Sequence, residues 1–111
     1  MIWYDDLYLS ENIEKKADKI KWKITHNAGM LHMYVISLPQ NNDSLLEIIS
    51  TKELMQRYYP KKNLVIVGIA KGYEEAVTKA ATIVVETMNS LGSTNVKQYL
   101  KEKRKKNQKE R

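Results

Sequence analysis

The chain has 111 residues, 42% of them hydrophobic, with no cysteine and a formal net charge of +6. That length is one domain, large enough to bury a core of its own, and the missing cysteine excludes disulfides and thiolate metal sites. Eight cations fall between Lys97 and Arg111 against Glu102 and Glu110 alone, so this segment carries the whole excess and the rest of the chain is balanced. A domain that grips nucleic acid usually spreads its charge over a face of the fold. The expected division is therefore a neutral body, residues 1–96, and a basic, largely solvated tail, residues 97–111.

Asp5, Asp6 and Glu11 interrupt the place where the apolar core of a secretory signal would fall. The longest apolar run, Leu64–Ala70, is much shorter than the ~20 residues of a membrane helix. A soluble chain with no membrane partner is expected, and the lack of cysteine suits a reducing, cytoplasmic setting. Phenylalanine is absent, and the aromatics are seven Tyr and two Trp, rings whose polar ends suit half-buried positions and interfaces.

In chain order, Ile2–Leu9 is apolar and aromatic without a clear period, either an edge strand or a packed arm. Ile13, Ala17, Ile20 and Ile24 then form one helical stripe, with Ser10 as the expected N-cap and Asn27-Ala28-Gly29 as the stop. Met30–Leu38 reads as a strand, Pro39–Asp43 as a polar turn and Leu45–Ile49 as the antiparallel partner strand. Ser50-Thr51-Lys52-Glu53 matches a capping box opening a short helix that ends near Tyr59 and Pro60. Asn63–Ala70 does not alternate, which predicts a central strand covered on both faces. A long helix follows from Tyr73, with Gly92 as its C-terminal stop. Asn95 is placed to cap a last helix whose apolar residues Val96, Tyr99 and Leu100 run out after about one turn.

The order α-β-β-α-β-α-α implies an α+β fold with a small, three- to four-stranded, mainly antiparallel sheet packed with helices. The strand from Asn63 is expected beside the Met30–Leu38 strand. Its free edge is then covered by the N-terminal segment or by a second copy of the chain. Self-association as a homodimer is the expected partner state.

Three places carry candidate chemistry. The turn Gly68-Ile69-Ala70-Lys71-Gly72-Tyr73 leads from a buried strand into a helix, where free backbone amides can hold an anion. Its glycines have neither dinucleotide-fold nor P-loop spacing, and Glu74 and Glu75 already complement the helix dipole. A structural turn is the plainer account of Gly68, Lys71, Gly72 and Tyr73. The second place is Arg57-Tyr58-Tyr59-Pro60-Lys61-Lys62, where Arg57, Tyr59, Lys61 and Lys62 offer base stacking and phosphate contact. Alternatively, the cations answer a helix C-terminus and Tyr58 anchors the core. The third is the tail, where Lys101, Lys103, Arg104, Lys105 and Lys106 suit weak, nonspecific, salt-sensitive contact with nucleic acid.

His26 and His32 stand without carboxylates at ligand spacing, so no metal and no cofactor is expected. Asn42-Asp43-Ser44 fits a glycosylation sequon without a secretory context. No nucleophile elbow or acid–base pair is present, and the expected activity is binding, not catalysis. Two other classes stand beside a binding or interaction protein. One is a nucleic-acid accessory protein using the tail with Arg57, Lys61 and Lys62. The other is an anion- or nucleotide-phosphate-binding domain at residues 68–73.

Overall fold

The non-alternating strand is the centre of the molecule. In the computed structural model, which describes residues 1–40 and 46–109, this strand is β4, Val65–Lys71. Its Ile66, Val67, Ile69 and Ala70 have no exposed surface. It lies between β1, Ile2–Leu9, and β2, Met33–Ser37. A fourth strand, β3, Glu47–Ser50, completes a sheet of order β1-β4-β2-β3. β2 runs antiparallel to both of its neighbours, whereas β1 runs parallel to β4.

The fold is thus α+β with a mixed sheet, and the order α-β-β-α-β-α-α lacks the opening strand. That strand has no clean period because its pairing slips between Trp3 and Tyr8. The slip is a bulge or irregularity. Asp5 and Asp6 sit there, exposed.

Both faces of the sheet are covered. On one face a 3-10 turn, Glu11–Lys16, leads into α1, Ala17–Thr25, and the short α2 spans Thr51–Leu54. Ile13, Ile20, Ile24 and Leu54 pack there with Val35, Ile66 and Ile69. On the other face lie α3, Tyr73–Leu91, and α4, Val96–Lys109. Ile83, Val96 and Leu100 meet Ile36 and Val67 there. Each fully buried branched side chain stabilises the fold by about 1.5–3 kcal/mol over leaving it exposed.

Several boundaries shift for identifiable reasons. Ser10 does not cap the first helix; it is wholly buried. Its hydroxyl donates to Asn12 Oδ1 at 2.5 Å and accepts from the Lys71 amide at 3.1 Å. Asn27 and His32 adopt left-handed φ values of 56° and 59°, so His32 closes a turn before β2 in place of lying within the strand. Ser50 does accept from the Glu53 amide at 3.2 Å, and Gly92 ends α3 at φ 67°. Asn95 Oδ1 accepts from the Gln98 amide at 3.1 Å. The sequon at Asn42 and most of the Pro39–Asp43 turn lie outside the described residues. No helix among the described residues is long and apolar enough to cross a membrane.

Candidate functional site

Two amides of the 68–73 turn are committed to partners within the fold. The Lys71 amide donates to Ser10, and the Gly72 amide donates to the His32 carbonyl at 2.7 Å. Gly72 takes φ 101°, a conformation that glycine adopts without strain. Gly68 is buried, and a Cβ there would lie 2.9 Å from the Tyr8 carbonyl oxygen and 3.1 Å from Ile36 Cδ1. Lys71 is exposed. Tyr73 sets its ring edge-on to Tyr34 at 5.6 Å between centroids. These residues join sheet to helix.

The loop after α2 divides its aromatics in the opposite way to the sequence reading. Tyr58 is 84% exposed, while Tyr59 packs against the core beside α1 and α2. Burial, with Glu47 and Glu53 nearby, holds the Tyr59 phenol above its ordinary pKa. Tyr59 is therefore a packing residue. Arg57 is exposed, and the turn closed by the Leu64 amide on the Lys61 carbonyl (3.1 Å) sets the direction of Lys61 and Lys62.

Lys61 and Lys62 open onto a cleft of ≈ 1030 Å³. Leu38, Pro39 and Gln40 form one wall, and the α3–α4 connection, Ser93 to Lys97, forms another. Gln40 Nε2 donates to the Pro60 carbonyl at 3.1 Å and ties two of the walls together. Three lysines, Lys61, Lys62 and Lys97, line the cleft, with no carboxylate among the described lining residues. Lys61 Nζ also donates to Asn27 Oδ1 at 2.9 Å. That partner is neutral.

α4 decides which of the remaining cations face solvent. Val96 and Leu100 are buried, and the Tyr4 hydroxyl donates to the Leu100 carbonyl at 3.2 Å. Glu86 Oε1 accepts from the Tyr8 hydroxyl at 2.6 Å and from the Tyr99 hydroxyl at 2.9 Å. Lys103 Nζ donates to the Tyr8 hydroxyl at 2.9 Å and lies 4.6 Å from the centre of its ring. Arg104 Nε pairs with Asp5 at 2.8 Å.

Burial, then the hydrogen bond to Glu86, raise the Tyr8 phenol far above its ordinary pKa. Tyr99 shifts the same way for the same causes. Lys103 and Arg104 thus hold the helix to the body. Lys97, Lys101 and Lys105 recur every fourth residue on the exposed side, ~6 Å apart along the axis. Lys106 is exposed on a separate line of the helix.

The structure therefore joins Lys61 and Lys62 with Lys97, from which Lys101 and Lys105 continue along α4, and leaves Gly68, Lys71, Gly72, Tyr73 and Tyr59 outside the cleft. Lys97 is the residue that the candidate set lacked; its spacing to Lys101 and Lys105 was the available signal. Among the described residues no three His, Asp or Glu side chains gather as metal ligands would. No family model, curated protein or solved structure matches this chain.

Proposed function

We propose that this chain is a binding protein, not an enzyme, and that it holds nucleic acid by its phosphate backbone without sequence preference. The observation that carries this reading is the cleft lined by Lys61, Lys62 and Lys97, continued along α4 by Lys101 and Lys105. Lysines with no carboxylate among the described lining residues bind a polyanion by releasing its counterions. A cleft without a described aromatic in its lining suits backbone contact. A reducing, cytoplasmic setting is the compartment this reading assigns to a chain without cysteine.

Fluorescence anisotropy with a labelled oligonucleotide tests the proposal. Five phosphate contacts predict that affinity falls about a hundredfold between about 50 and 200 mM salt. Replacing Lys61, Lys62 and Lys97 together with Ala should remove most of the binding at the lower salt. Binding that survives this substitution, or that ignores salt, overturns the reading.

Self-association is the second proposal, and one observation favours it. Tyr73, Val77, Val85 and Met88 leave an apolar side of α3 exposed. A homodimer would cover that side.

A further inference from the structure

We propose that the nucleic acid is single-stranded and that Trp22 is a stacking surface for one of its bases. This rests on the backbone-binding reading above and adds to it the class of ligand.

Trp22 lies on α1, on the face of the sheet opposite α4, and 59% of it is exposed. Its indole is held in place despite that exposure. The His26 ring stacks on it with centroids 4.0 Å apart and planes 21° from parallel. His26 is fixed in turn, because its Nδ1 lies 2.8 Å from the Trp22 carbonyl oxygen. A carbonyl only accepts, so Nδ1 carries the proton and donates. One face of the indole is backed by an imidazole, and the other is left for a planar partner.

The charge around this ring suits a polyanion. Lys19 lies one turn before Trp22, and Lys23 lies one turn before His26. Asp18, four residues before Trp22, is the one acid of α1. The two lysines outnumber it.

One hydrogen bond links the end of α1 to the cleft. Asn27 follows His26 directly, and Asn27 Oδ1 accepts from Lys61 Nζ, whose side chain also lines the cleft. The loop after α2, which carries Lys61, also exposes Tyr58, the most exposed large apolar side chain of the described residues at 84%. A strand lying in the cleft and along Lys97, Lys101 and Lys105 has no described aromatic in the cleft lining to stack on. Tyr58 and Trp22 are the exposed rings that the proposal offers it. A duplex keeps its base faces inside its own stack, so only a single strand can use these rings.

The test uses the full chain with three probes: labelled oligo(dT), a blunt duplex of the same length, and inorganic polyphosphate as a competitor without bases. Oligo(dT) should bind more tightly than the duplex. Trp22→Ala should weaken oligo(dT) binding about tenfold, the effect of losing one base stack. Its affinity for polyphosphate should stay unchanged. Trp22→Phe keeps a ring and should retain most of the affinity, and its circular dichroism should match that of the parent chain.

Duplex binding tighter than single-strand binding overturns the inference. So does a Trp22→Ala chain that binds oligo(dT) as the parent does; both results leave the backbone reading standing. Failure of all three probes to bind at about 50 mM salt overturns the backbone reading itself.

Discussion

At Gly68 a backbone oxygen decides the residue. The Tyr8 carbonyl would stand 2.9 Å from any Cβ, and it cannot swing aside as a side chain can, because β1 is paired to β4 at this point. Gly68→Ala should therefore cost about 1–3 kcal/mol. A thermal melt should record this as a fall of about 4 °C per kcal/mol; an unchanged melt would mean that β1 is free to shift. Ser10 works by its hydroxyl instead. Ser10→Ala leaves the Lys71 amide without its partner and should cost about 1–2 kcal/mol. Lys71→Ala, in contrast, removes an exposed side chain while keeping that amide bond, and its stability should stay within about 0.5 kcal/mol of the parent. The order Gly68 and Ser10 above Lys71 is the signature of a structural turn.

At the scale of the element, α4 is held by two kinds of contact. Leu100→Ala opens the buried face and should cost about 2–4 kcal/mol in denaturant unfolding. The polar clasp of Tyr8, Tyr99, Glu86 and Lys103 adds a dependence on pH. Tyr8 and Tyr99 have raised pKa values in the fold, so it is the protonated phenols that the fold favours. Their contribution is complete below the unfolded tyrosine pKa of about 10 and is lost as the pH rises above it. Unfolding midpoints should drop between about pH 9 and pH 11, and Tyr8→Phe should flatten that drop. An equal drop in the Phe variant would assign the effect to other groups. The clasp also bears on how the basic segment is tested. Cutting the chain after Leu100 removes Lys103 and Arg104, which hold the helix, together with Lys101 and Lys105, which face away. Lys101→Ala with Lys105→Ala separates charge from fold.

Across the whole molecule, the described part of the basic segment is helical. α4 lies along β1 and α3, and Lys97 in its first turn lines one cleft with Lys61 and Lys62 of the α2–β4 loop. The body's zero net charge is likewise uneven, since Asp5 and Glu86 answer Arg104 and Lys103 and leave Lys61 and Lys62 without a described acidic partner. Elsewhere on the surface lies the exposed apolar side of α3. If two copies meet there, light scattering should give about twice the 13.0 kDa chain mass. Val77→Asp with Met88→Asp should then return the single-chain value. A single-chain mass for the parent protein at tens of micromolar concentration would remove the dimer.

Local pattern alone determined the parts whose causes lie within a few residues. β4 was legible because a strand covered on both faces needs no alternation. α3 and its end were legible because Gly92 takes a left-handed conformation that few residues accept, and the caps at Ser50 and Asn95 because their side chains reach only three residues ahead. The tertiary structure decided everything that depends on distant partners. It made Ile2–Leu9 a strand parallel to β4 despite a broken period, since pairing with an apolar edge outweighs the exposed Asp5 and Asp6. It extended the last helix past its apolar turn, because Tyr8, Glu86 and Asp5 give Lys103 and Arg104 partners that a sequence pattern does not display. It packed Tyr59 against the core and exposed Tyr58, a choice made by which neighbour faced the core. Above all, it placed Lys97 beside Lys61 and Lys62: charges far apart in the chain share a surface only after the sheet has fixed the elements that carry them.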